Sequence, residues 1–231
     1  DGSITSNVRA NASAGFSIVT ATLPNFYTNY TIGHGLNATP HFIIGKNRAE
    51  SNQWDVYHQD VGTGKLLRLN QTSAVSNATA NQDSYYPTAP TNSVFGFVGN
   101  NNTMNFVWYV FTEVAGFSAF GSYVGTGSSP NFVYLGFRPA LIITKNTGGA
   151  NNWLIQDSSR NTYNLIDDTL YPNTSDQEAT SSSNFGVDFL SNGFALRTTG
   201  GFATNSNNAS EGHTFIYAAF AEHPFKTARA R

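Results

Sequence analysis

Apolar residues along this chain cluster in short runs broken by Gly, Asn and Ser, and no stretch keeps a helical period. Val, Ile, Thr, Phe and Tyr dominate those runs, which is the composition of strands. In the first half the pattern predicts strands near 15–22, 28–33, 41–47, 53–58, 65–70, 93–98 and 105–114. In the second it predicts strands near 120–125, 131–136, 140–146, 152–157, 164–171, 193–198 and 213–222. The runs 41–46 and 106–111 are apolar on both parities, so both of their faces should be covered. Turn signals separate the runs, among them Gly-Gly at 148–149 and Asn-Gly at 192–193. Many short strands with such turns point to an all-β sandwich or jelly roll, not an α/β fold. The polar segments 71–92 and 172–186 are long for plain connections, which marks them for a functional role or for contact with a neighbouring chain.

Self-similarity sets the organisation. Pro40-His41-Phe42-Ile43-Ile44-Gly45-Lys46-Asn47 reads like Pro139-Ala140-Leu141-Ile142-Ile143-Thr144-Lys145-Asn146, an offset of 99 residues. Trp54 and Trp153 share that offset, as do Phe95 and Phe194. The closing runs Phe106 to Glu113 and Phe215 to Glu222 correspond at an offset of 109. The expected organisation is therefore two tandem β-sandwich repeats, at 1–117 and 118–231.

Composition excludes several classes. Charged residues are 11 % and aromatics 14 %, so the low charge accompanies enough apolar surface for a sizeable core rather than disorder. A net charge of −2 gives no electrostatic case for nucleic acid. Zero cysteines exclude disulfides and thiolate metal sites. No apolar stretch is long enough for a membrane-spanning helix, and a chain beginning at Asp1 reads as a processed or excised fragment.

Catalytic and metal chemistry find little support. Asp55, Asp60, Asp157, Asp167, Asp168 and Asp188 are scattered and read as turn or surface residues. Glu113 and Glu222 recur at the ends of the closing runs, which favours a structural job. The five histidines, His34, His41, His58, His213 and His223, form no paired metal spacing, no Gly-x-Ser-x-Gly elbow exists, and Gly62-Thr63-Gly64-Lys65 is not a phosphate loop. The expectation is a non-enzyme without metal or cofactor.

Aromatics carry the most promising chemistry, since sugar rings stack on them while polar loop residues bond the hydroxyls. Trp54 and Trp153 correspond to one another and are expected in the core. Tyr85 and Tyr86 lie in the polar segment 71–92 without a counterpart in the second half, so they are the first candidates for ligand binding. Phe26, Tyr27 and Tyr30 are the alternatives.

Several segments together carry a resemblance: Gly33-His34-Gly35-Leu36, Gly136-Phe137-Arg138-Pro139, Leu190-Ser191-Asn192-Gly193-Phe194 and Ala219 to Lys226. Across residues 15–229 the chain resembles an uncharacterised repeat domain of tail-fibre and other virion-appendage proteins of tailed bacteriophages, especially marine ones. Its strand pattern is also similar, more loosely, to SPRY-like and concanavalin-like sandwiches. Gly45 and Ala140 depart from the bulkier residues of that pattern, which bears on packing. The resemblance implies a virion location and a role in attachment to a host-surface glycan or receptor. A purely structural fibre or decoration role is the alternative, with polysaccharide cleavage a further rival. It also implies other virion proteins as partners and a homo-oligomer, a trimer by analogy with phage fibres. On that reading the repeated Asn-x-Ser/Thr triplets, such as those at Asn11, Asn70 and Asn173, reflect Asn- and Thr-rich loops rather than glycosylation.

Overall fold

The computed structural model describes residues 2–25, 27–80, 82–99, 104–180, 185–197 and 212–223. Its strands are antiparallel throughout, and one 3-10 turn, Ala12–Ala14, is the sole helical element among the described residues. The fold is all-β and sandwich-like. Two compact units are present, Asp1–Asn70 with Val75–Glu113, and Gln71–Ala74 with Val114–Arg231. The division thus falls at 113/114 rather than 117/118, and the short segment 71–74 goes with the second unit.

In the first unit, strands β1 (Ser6–Asn11), β2 (Phe16–Leu23), β4 (Phe42–Asn47), β5 (Trp54–His58) and β9 (Met104–Phe111) form a sheet in the order β1-β2-β9-β4-β5. Strands β3 (Asn29–Gly33) and β8 (Val94–Val98) pair separately, as do the short β6 (Lys65–Leu66) and β7 (Ser76–Asn77). Alternation explains the core: Val19, Ala21 and Leu23 of β2 and Phe106, Trp108 and Val110 of β9 share one buried cluster with Ile32 of β3 and Phe95 and Phe97 of β8. Trp108 sits at its centre, with ring centroids 5.1 Å from Phe106 and 5.4 Å from both Phe95 and Phe97.

The second unit has a four-stranded sheet of β10 (Ser118–Val124), β12 (Pro139–Asn146), β13 (Leu154–Asp157) and β16 (Thr214–Ala221), ordered β10-β16-β12-β13. A three-stranded sheet, ordered β11-β15-β14, comprises β11 (Asn131–Tyr134), β14 (Val187–Leu190) and β15 (Gly193–Leu196). Their inward residues, including Tyr123, Ile142, Phe189, Phe194 and Tyr217, form the second core.

Pairing registers of the two units run in step. Phe42 opposes His58 and Leu141 opposes Asp157, both pairs being 99 residues apart. Phe42 also opposes Phe111, and Leu141 opposes Phe220. Buried Lys145 donates to the carbonyls of Gly149 and Asn151, while Lys46 donates to those of Glu50 and Asn52, again offset by 99. Each lysine thereby ties down the loop that follows its strand.

Gly45 shows why a small residue stands in β4. A Cβ there would come within 2.7 Å of Trp108 and 2.9 Å of the Tyr86 hydroxyl. In the second unit Tyr217 occupies the place of Trp108, and the space is made instead by Gly121 of β10, whose Cβ would lie 2.6 Å from the Tyr217 hydroxyl. The large inward ring is kept and the glycine that accommodates it moves to the other neighbouring strand.

Three strands were not expected, the short β7 within the polar segment 71–92 among them. β1 carries Ser, Asn, Arg and Asn on an exposed edge, with no apolar alternation to announce it. β14 lies within 187–190, just past the polar segment, and pairs with β15 through a two-residue Ser191-Asn192 turn. Conversely, the predicted strand at 164–171 reduces to isolated bridges at Ile166, Thr169 and Leu170.

Candidate functional site

Two of the five aromatics expected to bind ligand, Tyr86 and Tyr30, are committed to the core. Tyr86 is 2 % exposed, and its ring packs 5.0 Å from Phe97 and 5.8 Å from Tyr57. Its hydroxyl donates to the Asp55 carbonyl at 3.3 Å, and burial raises its pKa. It is a core residue, which corrects the expectation from its polar surroundings. Tyr30 likewise belongs to the core, because its position on β3 faces inward. Tyr85 is half-buried, with its backbone bridged to Val98. Tyr27 is half-buried in a left-handed conformation, φ 55°, with its N–H bonded to Gly99 O. Phe26 lies outside the described residues. Trp153 is buried as expected, whereas Trp54 is only partly so.

The segment before Tyr86 instead closes a buried polar network. The Ser84 hydroxyl donates to the Asp55 carboxylate at 2.6 Å. Arg68 spans Asp55, at 3.8 Å, and Asp83, at 3.1 Å. Burial pushes the Asp55 carboxyl up to about 7, against the opposing pull of the Ser84 bond and the Arg68 charge. This network braces β5 against the segment 83–86. Among the described residues no three His, Asp or Glu side chains gather in a way that could hold a metal ion.

An exposed aromatic surface does exist, on the outer face of the three-stranded sheet. β11 alternates: Val133 points into the core, while Phe132 and Tyr134 point outward at 46 % and 68 % exposure. Phe132 opposes Ala195 and Tyr134 opposes Gly193 on the central strand β15. On the far side Asp188 opposes Ala195 and Leu190 opposes Gly193. Between them the central strand carries Gly193 and Ala195, both buried, with the Phe132 ring lying against Gly193, and the two flanking strands stand about 10 Å apart, two strand spacings. Gly193 is needed there, since a Cβ would lie 2.1 Å from Val133 O and 3.1 Å from the Phe132 ring. At one end Arg197 pairs with Asp188 at 3.3 Å, both partly exposed.

Asn164 caps the outer edge of this sheet. Its side-chain amide donates to Phe189 O at 3.1 Å and accepts from Phe189 N at 2.9 Å, taking the place of a further strand. Tyr163, 83 % exposed, and Leu165, 38 % exposed, flank it. The result is an outward sheet face with exposed rings along one side, Asp188 and Leu190 on the other, and a charged pair at one end. Such a surface can stack a sugar ring while a carboxylate and a guanidinium bond its hydroxyls.

The corresponding face of the first unit is different. Thr31 and Gly33 stand where the register puts Phe132 and Tyr134. Ser3 bonds Thr31 in both directions, at 2.8 Å and 2.9 Å. Thr88 fills the space above Gly96, its hydroxyl only 2.2 Å from where a Cβ would stand. That face is polar and already occupied. Comparing Thr31 and Gly33 with Phe132 and Tyr134 is the signal by which the site could have been found: aromatics on the outward parity in one half only.

A family model described as a domain of unknown function (DUF7483) matches residues 1–224, and the chain belongs to that family. No curated protein and no solved structure matches it.

Proposed function

We propose that this chain is a non-catalytic recognition module that binds a saccharide on the outer face of the β11-β15-β14 sheet, as the attachment part of a bacteriophage appendage would. The supporting observation is the pair of exposed rings at Phe132 and Tyr134 on the outer face of this sheet, with the Asp188–Arg197 pair on the same sheet. Exposed aromatics cost solvation in a free monomer, so their concentration on one face favours a partner for that face. A sugar suits this face better than an apolar peptide, because the exposed rings stand beside a charged pair rather than along a groove. The virion setting rests on the resemblance to tail-fibre proteins, and it brings avidity: several identical copies would multiply a weak single-site affinity.

The test is a screen of the chain against arrayed bacterial envelope glycans, repeated with Phe132→Ala/Tyr134→Ala. Stacking of each ring contributes about 1 kcal/mol, so the double variant should lose roughly tenfold or more in affinity. Its thermal midpoint should stay nearly unchanged, since both rings are outward. Full glycan binding by the double variant would refute this face as the site, and release of shortened sugar products would replace recognition by cleavage.

A further inference from the structure

The arginines are unevenly partnered. Among the described residues, Arg68, Arg138, Arg160 and Arg197 each pair with a carboxylate. Arg9 and Arg48 carry no ion pair, and both are exposed on the same unit. Arg48 lines an open groove of about 350 Å³ together with Thr5, Asn7, Thr20, Ala21 and Thr22. Register explains the grouping. Asn7 opposes Thr20 across β1-β2, and Thr22 opposes Asn105 across β2-β9, where the Thr22 hydroxyl donates to the Asn105 side chain at 2.7 Å. Arg48 is anchored beside them by its N–H to Asn105 O at 2.7 Å. Arg9 is the next residue of β1 on the parity of Asn7, opposite Ile18.

No Asp or Glu occupies β1, β2 or β9, so nothing on those strands neutralises the two guanidinium groups. The groove therefore combines hydroxyl and amide groups, which suit sugar hydroxyls, with unpaired positive charge, which suits an anion. A net charge of −2 for the whole chain argues against a nucleic-acid backbone as the partner.

We infer that this groove is a second binding site, which takes the anionic group of an acidic saccharide through Arg48, with Thr20, Thr22 and Asn7 bonding the sugar hydroxyls. For ligand class it rests on the reading of the chain as a saccharide binder, but it uses none of the residues of the aromatic face.

The discriminating probes are an oligogalacturonate, the same oligomer with its carboxylates methyl-esterified, and a sulfated galactan oligomer, titrated by calorimetry into the whole chain. At low salt the oligogalacturonate or the sulfated oligomer should bind roughly fivefold tighter than the ester, the gain an exposed ion pair can supply. Whichever anion binds tighter identifies the group the site takes. Arg48→Gln should erase the difference, and Thr22→Val should weaken the acidic oligomer and its ester alike, leaving their ratio unchanged. Equal binding of acid and ester, or discrimination that survives Arg48→Gln, overturns the assignment. Inorganic sulfate competing as well as the sulfated oligomer would reduce the groove to an ion site and overturn the saccharide. Phe132→Ala/Tyr134→Ala separates the two readings. If that variant loses neutral glycans and keeps the Arg48-dependent preference, both sites stand. If Arg48→Gln alone has no effect, only the groove falls.

Discussion

Replacing Lys145 by Met tests how the loop after β12 is held. The side chain is 1 % exposed, and its ammonium donates to Thr72 O at 2.9 Å, Asn151 O at 2.7 Å and Gly149 O at 3.5 Å. Met keeps the length and removes the three donors. Thr72 is exposed and Gly149 half-exposed, so water can replace the ammonium at those carbonyls. Asn151 is buried, and its carbonyl would be left with no donor, a loss of about 1–3 kcal/mol. Removing a charge from a buried place returns part of that cost, so Lys145→Met should destabilise by about 2 kcal/mol. Lys46→Met is the internal control. Lys46 serves Glu50 and Asn52, whose carbonyls sit on exposed or half-exposed residues, and should cost about 0.5–1 kcal/mol.

Denaturant unfolding of both variants gives the comparison, with amide exchange at Gly148 and Gly149 as a local reporter. Both amides bond the Asn146 side chain, at 2.9 Å and 3.1 Å, inside the loop that Lys145 ties down. They should exchange faster in Lys145→Met. A pH series adds a signed check. Burial pushes the Lys145 ammonium down from 10.5 to about 8. Above pH 8 the native state sheds a proton that the unfolded chain keeps to about 10.5, so this group raises stability with pH across that window. Lys145→Met should lack the rise. A Lys145 variant no less stable than the Lys46 variant, with unchanged exchange, would refute the assignment of the loop to this ammonium.

Asp55 gives the opposite pH sign. Its folded carboxyl titrates near 7 against 3.8 unfolded, so the native state holds the extra proton between those values. Stability from this group is full below pH 4 and is lost as pH rises through 7, at up to about 1.4 kcal/mol per pH unit; Asp55→Asn should flatten that slope in urea titrations from pH 4 to 8. An unchanged slope would place the pH dependence elsewhere. Gly45→Ala should cost about 1–3 kcal/mol in a thermal or urea melt, because its Cβ meets the Trp108 ring at 2.7 Å in a filled core; a neutral result would mean the ring can move aside.

Much of the frame was legible because apolar runs recur along the sequence at a fixed offset. The runs beginning at Pro40 and Pro139 contain the lysines that hold the following loops and an interior strand of each large sheet. The candidate sites were less legible, for reasons that lie in tertiary contacts. Tyr86 sits among polar residues, yet it is buried because Gly45, 41 positions earlier, leaves room for its hydroxyl. Nothing local signals that. Phe132 and Tyr134 fell inside a correctly expected strand, but Phe-Val-Tyr-Leu is apolar on both parities, and such a run reads as covered on both faces. Whether an outward face is covered depends on what stands above it, as Ser3 and Thr88 do for Thr31 and Gly96 in the first unit.

The two units agree in the strands that build their cores and differ at their margins. β2, β9, β4 and β5 correspond in order to β10, β16, β12 and β13, and β3-β8 corresponds to β11-β15. Beyond the short β6-β7 pair of the first unit, each unit then carries one strand whose counterpart is missing among the described residues of the other. β1 extends the first sheet beyond β2, whereas nothing is paired beyond β10. β14 extends the small sheet of the second unit, where the first unit has a single bridge from Tyr85 to Val98. A strand added to an existing edge needs no new core; it needs only backbone pairing and one tolerable face, so margins can change while the sandwich stands. Both candidate sites are walled by these added strands. β1 supplies Thr5's neighbour Asn7 and the unpaired Arg9, and β14 supplies Asp188 and Leu190. The residues that hold the fold are thus the shared ones. The residues that would discriminate between ligands stand on the unshared strands, so exchanging Thr31 and Gly33 for Phe and Tyr would not by itself create the aromatic site in the first unit. The strand that carries Asp188 and Leu190 would still have no counterpart there, and Thr88 would still stand over Gly96.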